Sequence, residues 1–206
     1  MKERLRMIGV VTGLALVSGL LLAWTNSVTR APIEQARRQE MVAALARVLP
    51  PCDNDVLADT KVVSEGGRTW TFHVARKNGA YVGTAFVANA EGYGGPIEVM
   101  VGLKDDDTIN KVEILVADRE TPGLGSKIKD PEFLATRFAN RSAKDTSWCR
   151  VKKDGGEVVE ITGATISSRA VAKAVKEGLE VFTKHAATIR AVGGGSVGTA
   201  TEQGKP

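Results

Sequence analysis

A chain of 206 residues, 43% hydrophobic and only 5% aromatic, can bury one domain core and still carry extensions. Its net charge of +4 comes from acids and bases mixed along the chain, with no Lys/Arg stripe interleaved with aromatics, which sets nucleic acid aside as a partner. Two cysteines and two histidines are too few for an iron–sulfur cluster or a structural zinc site, and no C-x-x-C-H is present, so no metal is expected and any redox role needs an organic cofactor.

The first element is an uncharged run, MIGVVTGLALVSGLLLAW, at residues 7–24. As a helix rising 1.5 Å per residue it spans roughly 27 Å, enough for the hydrocarbon core of a bilayer with slight thinning. Lys2, Arg4 and Arg6 precede it, and Trp24 stands where an interfacial aromatic belongs. The run exceeds the usual signal-peptide core and no A-x-A site follows, so an uncleaved, single-pass anchor is expected. The compact basic start assigns residues 1–6 to the cytoplasm and the rest of the mass to the outside, with Arg30, Arg37 and Arg38 working against that bias. Gly9-x-x-x-Gly13 and Ala15-x-x-x-Gly19 either permit close helix approach or reflect how common Gly is in membrane helices.

Residues 25–51 read as a linker helix. After Pro32, the positions Ile33, Ala36, Met41, Ala44, Leu45 and Val48 mark one helical face, and Pro50-Pro51 ends it. Residues 52–190 read as a separate domain outside the cytoplasm. There the period changes to two: RTWTFHVARKNGAYVGTAFVAN alternates around Asn78-Gly79, a hairpin signal. PIEVMVGLKDDDTINKVEILVAD gives two more strands across an Asp-rich turn, which completes an antiparallel meander of four. DPEFLATRFAN predicts a short helix with Asp130 as cap and Pro131 at its first position. EVVEI predicts a further short strand. From Thr165 to about Arg190 the positions Val171, Ala174, Val175, Leu179 and Phe182 define an amphipathic helix, and residues 191–206 form a Gly-rich flexible tail. Helices following a meander make the class α+β. In an oxidising compartment Cys52 and Cys149 either pair, closing a long loop, or stay as separate thiols.

Three loops could carry chemistry. EGYGGPIEVMV, from Glu91, has glycines that let backbone approach something flat or merely turn between strands. RETPGLGSKI, from Arg119, combines Pro122 with Gly123 and Gly125 and exposes backbone N–H groups beside the Thr121 hydroxyl. TGAT, Thr162 to Thr165, meets a helix start, where free N–H groups and the positive dipole end favour phosphate and Arg169 lies one turn in. The plainer reading is that Thr165, Ser167 or Ser168 caps the helix. There is no G-x-S-x-G elbow and no His/Asp partner set, so no catalytic residue is assigned.

In order after an anchor, GYGGPIEVMVGL, ETPGLGSKI and TGATISSRAV resemble the FMN-binding domain of a known family. It comprises the G subunits of Rnf ion-translocating electron-transport complexes (RnfG), with the C subunits of sodium-pumping quinone reductases (NqrC) as relatives. The compact length and the short Gly-rich loop resemble the former more. The resemblance implies FMN joined through its phosphate to the last Thr of the S/T-G-A-T motif, here Thr165, beside Thr162, Gly163 and Ala164. It implies Glu120, Thr121, Gly123, Leu124, Tyr93 and Gly94 along the flavin, with Arg169 and Lys127 near the phosphate. Where the family often has an acidic residue, this chain has Val159, and Glu160 stands one residue closer to the motif.

The implied function is electron transfer within a bacterial or archaeal cell membrane complex. That complex couples electron flow between ferredoxin and NAD to Na⁺ or H⁺ transport, and the subunit is not catalytic alone. The implied partners are the other membrane and peripheral subunits, the membrane itself, and a flavin transferase for maturation. The alternatives are the quinone-reductase subunit and an anchored, flavin-free binding module.

Overall fold

A computed structural model describes residues 2–191, which divide into two units, one up to Val42 and one from Ala43 onward. The tail expected from residue 191 lies, beyond Ala191, outside the described residues. The first helix, α1, runs Lys2–Val48 with Pro32 inside it. Residues 25–48 therefore continue α1 and do not start a second helix at Pro32. A proline removes one N–H and frees one carbonyl a turn earlier, which a long helix can absorb without ending.

In the first unit, α1 is the one helix among the described residues that is long and apolar enough to cross a membrane. Its most apolar 18-residue window has a mean hydropathy of 2.1 and none of it is buried. Just past the apolar run, hydroxyls turn back onto the helix: Thr25 donates to the Leu21 carbonyl and Thr29 to the Thr25 carbonyl, each at 2.8 Å. These polar side chains are thus satisfied within the helix itself.

The second unit is built on an antiparallel sheet: β1 (Thr60–Glu65), β2 (Arg68–Lys77), β3 (Ala80–Glu91), β4 (Pro96–Lys104) and β5 (Ile109–Val116). The strands pair in sequence order, β1-β2-β3-β4-β5. The meander thus has five strands, one more than the four expected. β1 reaches β2 through Gly66-Gly67, both at positive φ (+60° and +74°), a two-residue turn that glycine forms at no steric cost. The Asn78-Gly79 turn stands where the alternation placed it, with φ of +51° and +77°.

The last helix, α3 (Thr165–Arg190), lies across one face of the sheet. Val171, Val175, Leu179 and Phe182 are buried on it, and each such side chain contributes roughly 1.5–3 kcal/mol. Phe72 meets Phe86 with ring centroids 5.5 Å apart and Phe182 at 6.3 Å. A Cβ at Gly178 would overlap Phe86 Cε2, so this glycine sets how closely α3 approaches. On the other face, a Cβ at Gly102 would overlap the Val48 carbonyl. That same carbonyl, left open at the end of α1, accepts from Asn110 Nδ2 at 2.7 Å.

The short helix α2 (Pro131–Phe138) has Asp130 as its cap, whose side chain accepts from the Glu132 N–H at 2.9 Å, as the sequence predicts. The strand expected at EVVEI is not formed. Val158 makes one isolated parallel bridge to Val151, and the N–H groups of Glu157 and Val158 go to Trp148 and Arg150. Those local carbonyls satisfy the backbone of this stretch, which has no place in the sheet.

The two cysteines are unpaired: Cys52 is exposed and Cys149 is buried in the core. The bridge weighed from the sequence is therefore absent. Cys149 Sγ lies 3.2 Å from the Ala172 carbonyl, and burial pushes its thiol up to about 12. Because the thiolate is the reactive form, the folded chain is expected to take one equivalent of a thiol reagent, at Cys52, and the denatured chain two. Two equivalents in the folded chain, or fewer than two in the unreduced, denatured one, would contradict this placement.

Candidate functional site

One buried carboxylate holds the three sequence loops together. Glu120, in the loop after β5, is 5% exposed. Its Oε1 accepts from the backbone N–H groups of Tyr93 (2.9 Å) and Gly94 (3.2 Å), in the loop between β3 and β4. Its Oε2 accepts from Ser167 Oγ at 2.5 Å, in the first turn of α3. Hydrogen bonds to a carboxylate are among the stronger kind, and these span three separate segments.

The glycines are where this convergence demands them. A Cβ at Gly94 would enter the Arg119 carbonyl, and one at Gly125 would stand 2.5 Å from Glu120 Oε2. The glycines of the first two motifs thus make room for backbone and for Glu120. Glu120, expected along the flavin, is buried here and ties the loops together.

The loop beyond Glu120 folds on itself. The Thr121 carbonyl accepts from the N–H groups of Leu124 (3.2 Å) and Ser126 (3.1 Å), and Gly123, at φ +75°, donates its N–H to Ser126 Oγ at 3.0 Å. This turn holds Leu124 outward, 44% exposed, against Gly163, where a Cβ would stand 3.3 Å from Leu124 Cδ2. Lys127 is exposed on the short 3-10 turn Gly125–Lys129.

At the third loop, Thr162 is exposed in a turn and does not end a strand. Gly163 sits at φ +83°, and Ala164 is the N-cap of α3, with no side-chain cap bond. The capping reading therefore does not hold: Thr165 is the first helical residue, and Ser167 and Ser168 are buried. Ser168 Oγ accepts from the Ile161 N–H (3.1 Å) and donates to the Ala164 carbonyl (3.0 Å). With no side-chain cap, the first-turn N–H groups of α3 carry no side-chain acceptor.

The Thr165 hydroxyl is half-buried, and its Oγ1 accepts from Lys153 Nζ at 3.3 Å. Arg169 points elsewhere: its Nε and one terminal nitrogen donate to the two Asp154 oxygens at 2.5 and 2.8 Å. That contact holds the Asp154 carboxyl below its usual range. Lys153 and the Ser167–Glu120 bond were not found from the sequence, because no spacing rule brings residues 120, 153 and 165 together.

Beyond Val42, the large hydrophobic side chains left exposed among the described residues are Tyr93, Leu124, Val159 and Ile166. Ile166 follows Thr165 in the chain, and Leu124 lies against Gly163 just before it. Donors for an anion, an exposed apolar rim and a reachable hydroxyl stand side by side, which is the donor set a flat, phosphorylated cofactor requires.

The FMN-binding domain family model matches residues 92–180, the stretch that holds all three loops. The G subunit of the ion-translocating oxidoreductase complex from Cereibacter sphaeroides is 37% identical, over 89% of this chain and 86% of that protein. The corresponding G subunit from Aliivibrio fischeri is 32% identical over 83% and 86%. A looser likeness, TM-score 0.46 at 23% identity over 64% and 67% of the two chains, is to the C subunit of the Na⁺-translocating NADH-quinone reductase from Parabacteroides distasonis. By its identity to the first two over most of its length, the chain belongs to the family of G subunits of ion-translocating oxidoreductase complexes.

Proposed function

We propose that this chain carries FMN as a phosphoester on Thr165 and passes electrons as one subunit of an ion-translocating oxidoreductase complex in the cell membrane. The observation that carries the reading is the Thr165 hydroxyl itself. It stands at the uncapped start of α3, next to exposed Ile166 and two residues after Gly163, against which exposed Leu124 lies, inside the stretch that matches the FMN-binding domain.

Tyr93, Gly94, Thr121, Gly123 and Leu124 would hold the flavin, with Thr162, Gly163 and Ala164 shaping the turn at the attachment point. The open N–H groups and the positive end of α3 favour the single negative charge that Thr165 would then bear. Attachment exchanges one bond for another. Thr165 Oγ1 would bond to the phosphorus of a flavin dinucleotide as the phosphoanhydride bond broke, adenylate would leave, and the hydroxyl proton would pass to the transferase. Bound FMN supplies reversible uptake and release of electrons, which no residue of this chain provides. A covalent tether suits a carrier outside the cytoplasm, where a lost flavin is not easily replaced. Ferredoxin and NAD are the two ends of electron flow in this reading, and Na⁺ or H⁺ is the coupled ion.

The topology follows from charge. Lys2, Arg4 and Arg6 stay in the cytoplasm, the apolar run crosses once, and the second unit lies outside. The full chain, expressed in membranes with a flavin transferase, is expected to run as a fluorescent band on a denaturing gel, at an intact mass raised by one FMN less water. Protease added to sealed right-side-out spheroplasts should cut the domain. A dark band at the unmodified mass would sink the attachment, and a protected domain would reverse the orientation.

A further inference from the structure

We infer that Lys153, braced by Glu160, is the cation that pairs with the phosphate on Thr165, and that Arg169 is not. The inference rests on the attachment reading above and adds to it a residue that neither the motif nor the family match names. Lys153 lies on the 3-10 turn Lys152–Asp154, twelve residues before Thr165.

Two contacts aim it. Its Nζ donates to Thr165 Oγ1 at 3.3 Å and stands 3.5 Å from Glu160 Oε1. The Glu160 side chain is 13% exposed, and its own backbone N–H holds the carboxyl below its usual range. Glu160 Oε2 is buried with no hydrogen-bond partner. A carboxylate so placed keeps an ammonium group nearby without using up its three donors. Nothing in the contact geometry prevents Lys153 from giving one donor to Glu160 and another to an oxygen carried on Thr165.

The competing cations are placed otherwise. Arg169 gives its Nε and a terminal nitrogen to Asp154, so reaching a phosphate would mean breaking a bidentate pair. Lys127 is exposed on the turn after Gly125. Lys binds phosphate as a point charge and Arg as a planar fork. A single contact at Oγ1 does not need the fork, so either cation should serve at position 153. The Lys153 side chain is 63% exposed, which makes its contribution sensitive to salt and its removal harmless to the fold.

The test uses the full chain in detergent, loaded in vitro by a flavin transferase with flavin adenine dinucleotide, and read in two ways. The first is the initial rate of FMN incorporation by intact mass. Lys153→Ala should slow it by roughly five- to tenfold at low salt, with the difference shrinking as salt rises, and Lys153→Arg should restore most of it. The second is the ³¹P resonance of the loaded chain. It should move in Lys153→Ala and stay near the parent position in Arg169→Ala. A lysine that only helped the transferase dock would leave that resonance still, so an unmoved ³¹P signal in Lys153→Ala overturns the assignment. So does a parent-like incorporation rate. If the parent itself takes no flavin, the attachment reading fails and this one with it. If the parent is loaded and Lys153→Ala behaves like it, only the role of Lys153 is lost.

Discussion

Thr165→Ala is expected to abolish covalent flavin while leaving the fold in place. The side chain makes no cap bond, and its hydrogen bond is the 3.3 Å acceptance from Lys153. Alanine is at home in the first turn of a helix, so the stability cost should stay under about 1 kcal/mol. Thr162→Ala is the matched control. Both residues carry hydroxyls, but Thr162 stands in the exposed turn before Gly163, away from the open N–H groups of α3. It should keep the flavin, and Thr165→Ser, which keeps the hydroxyl, should keep some. In-gel fluorescence after denaturation reads all of them at once. A fluorescent band from Thr165→Ala would move the attachment elsewhere.

The second large effect is expected at Glu120. Glu120→Ala removes the acceptor shared by the N–H groups of Tyr93 and Gly94 and by Ser167 Oγ, all in the buried or part-buried interior. Stranding such donors costs about 1–3 kcal/mol each before relaxation, so a net loss of roughly 3 kcal/mol is expected. For a chain of this size that is about 10 °C in thermal midpoint. Glu120→Gln should cost far less. Its amide oxygen can still accept from the two backbone N–H groups, and Ser167 can rotate its hydroxyl to accept from the amide. Flavin loading should follow the same order, Ala well below Gln. Thermal melts of the purified chain in detergent decide the matter. Equal midpoints for Glu120→Ala and the parent would show that the carboxylate does not hold the loops together.

Much of the fold was written in local pattern. Alternation and the Asn78-Gly79 turn placed β2 and β3, and the period of apolar residues placed α3, whose marked positions are all buried. β1 was missed although Gly66-Gly67 is a hairpin signal, because TKVVSE alone is too short to alternate convincingly. EVVEI has the composition of a strand but gains no partner in the sheet, which composition cannot reveal. At the site, the loops were legible as motifs because each needs glycine or hydroxyl at a fixed offset. Their meeting on Glu120 was not, since that depends on how β4, β5 and α3 assemble. Arg169 looked suited to a phosphate one turn into α3, yet Asp154, brought close by the turn before it, takes its donors.

The tie at Glu120 has a bearing on when the hydroxyl becomes special. It joins positions 27 and 47 residues apart along the chain, so it closes only after the central strands and the last helix have docked. Before that, Thr162 and Thr165 are two equivalent alcohols on a mobile strand of polymer. Afterwards one of them accepts from Lys153 at the start of α3, and the other does not. If Thr165 is the attachment point proposed above, and if the folded geometry and not the motif alone selects it, modification would double as a check on quality, marking for service those chains that had already assembled.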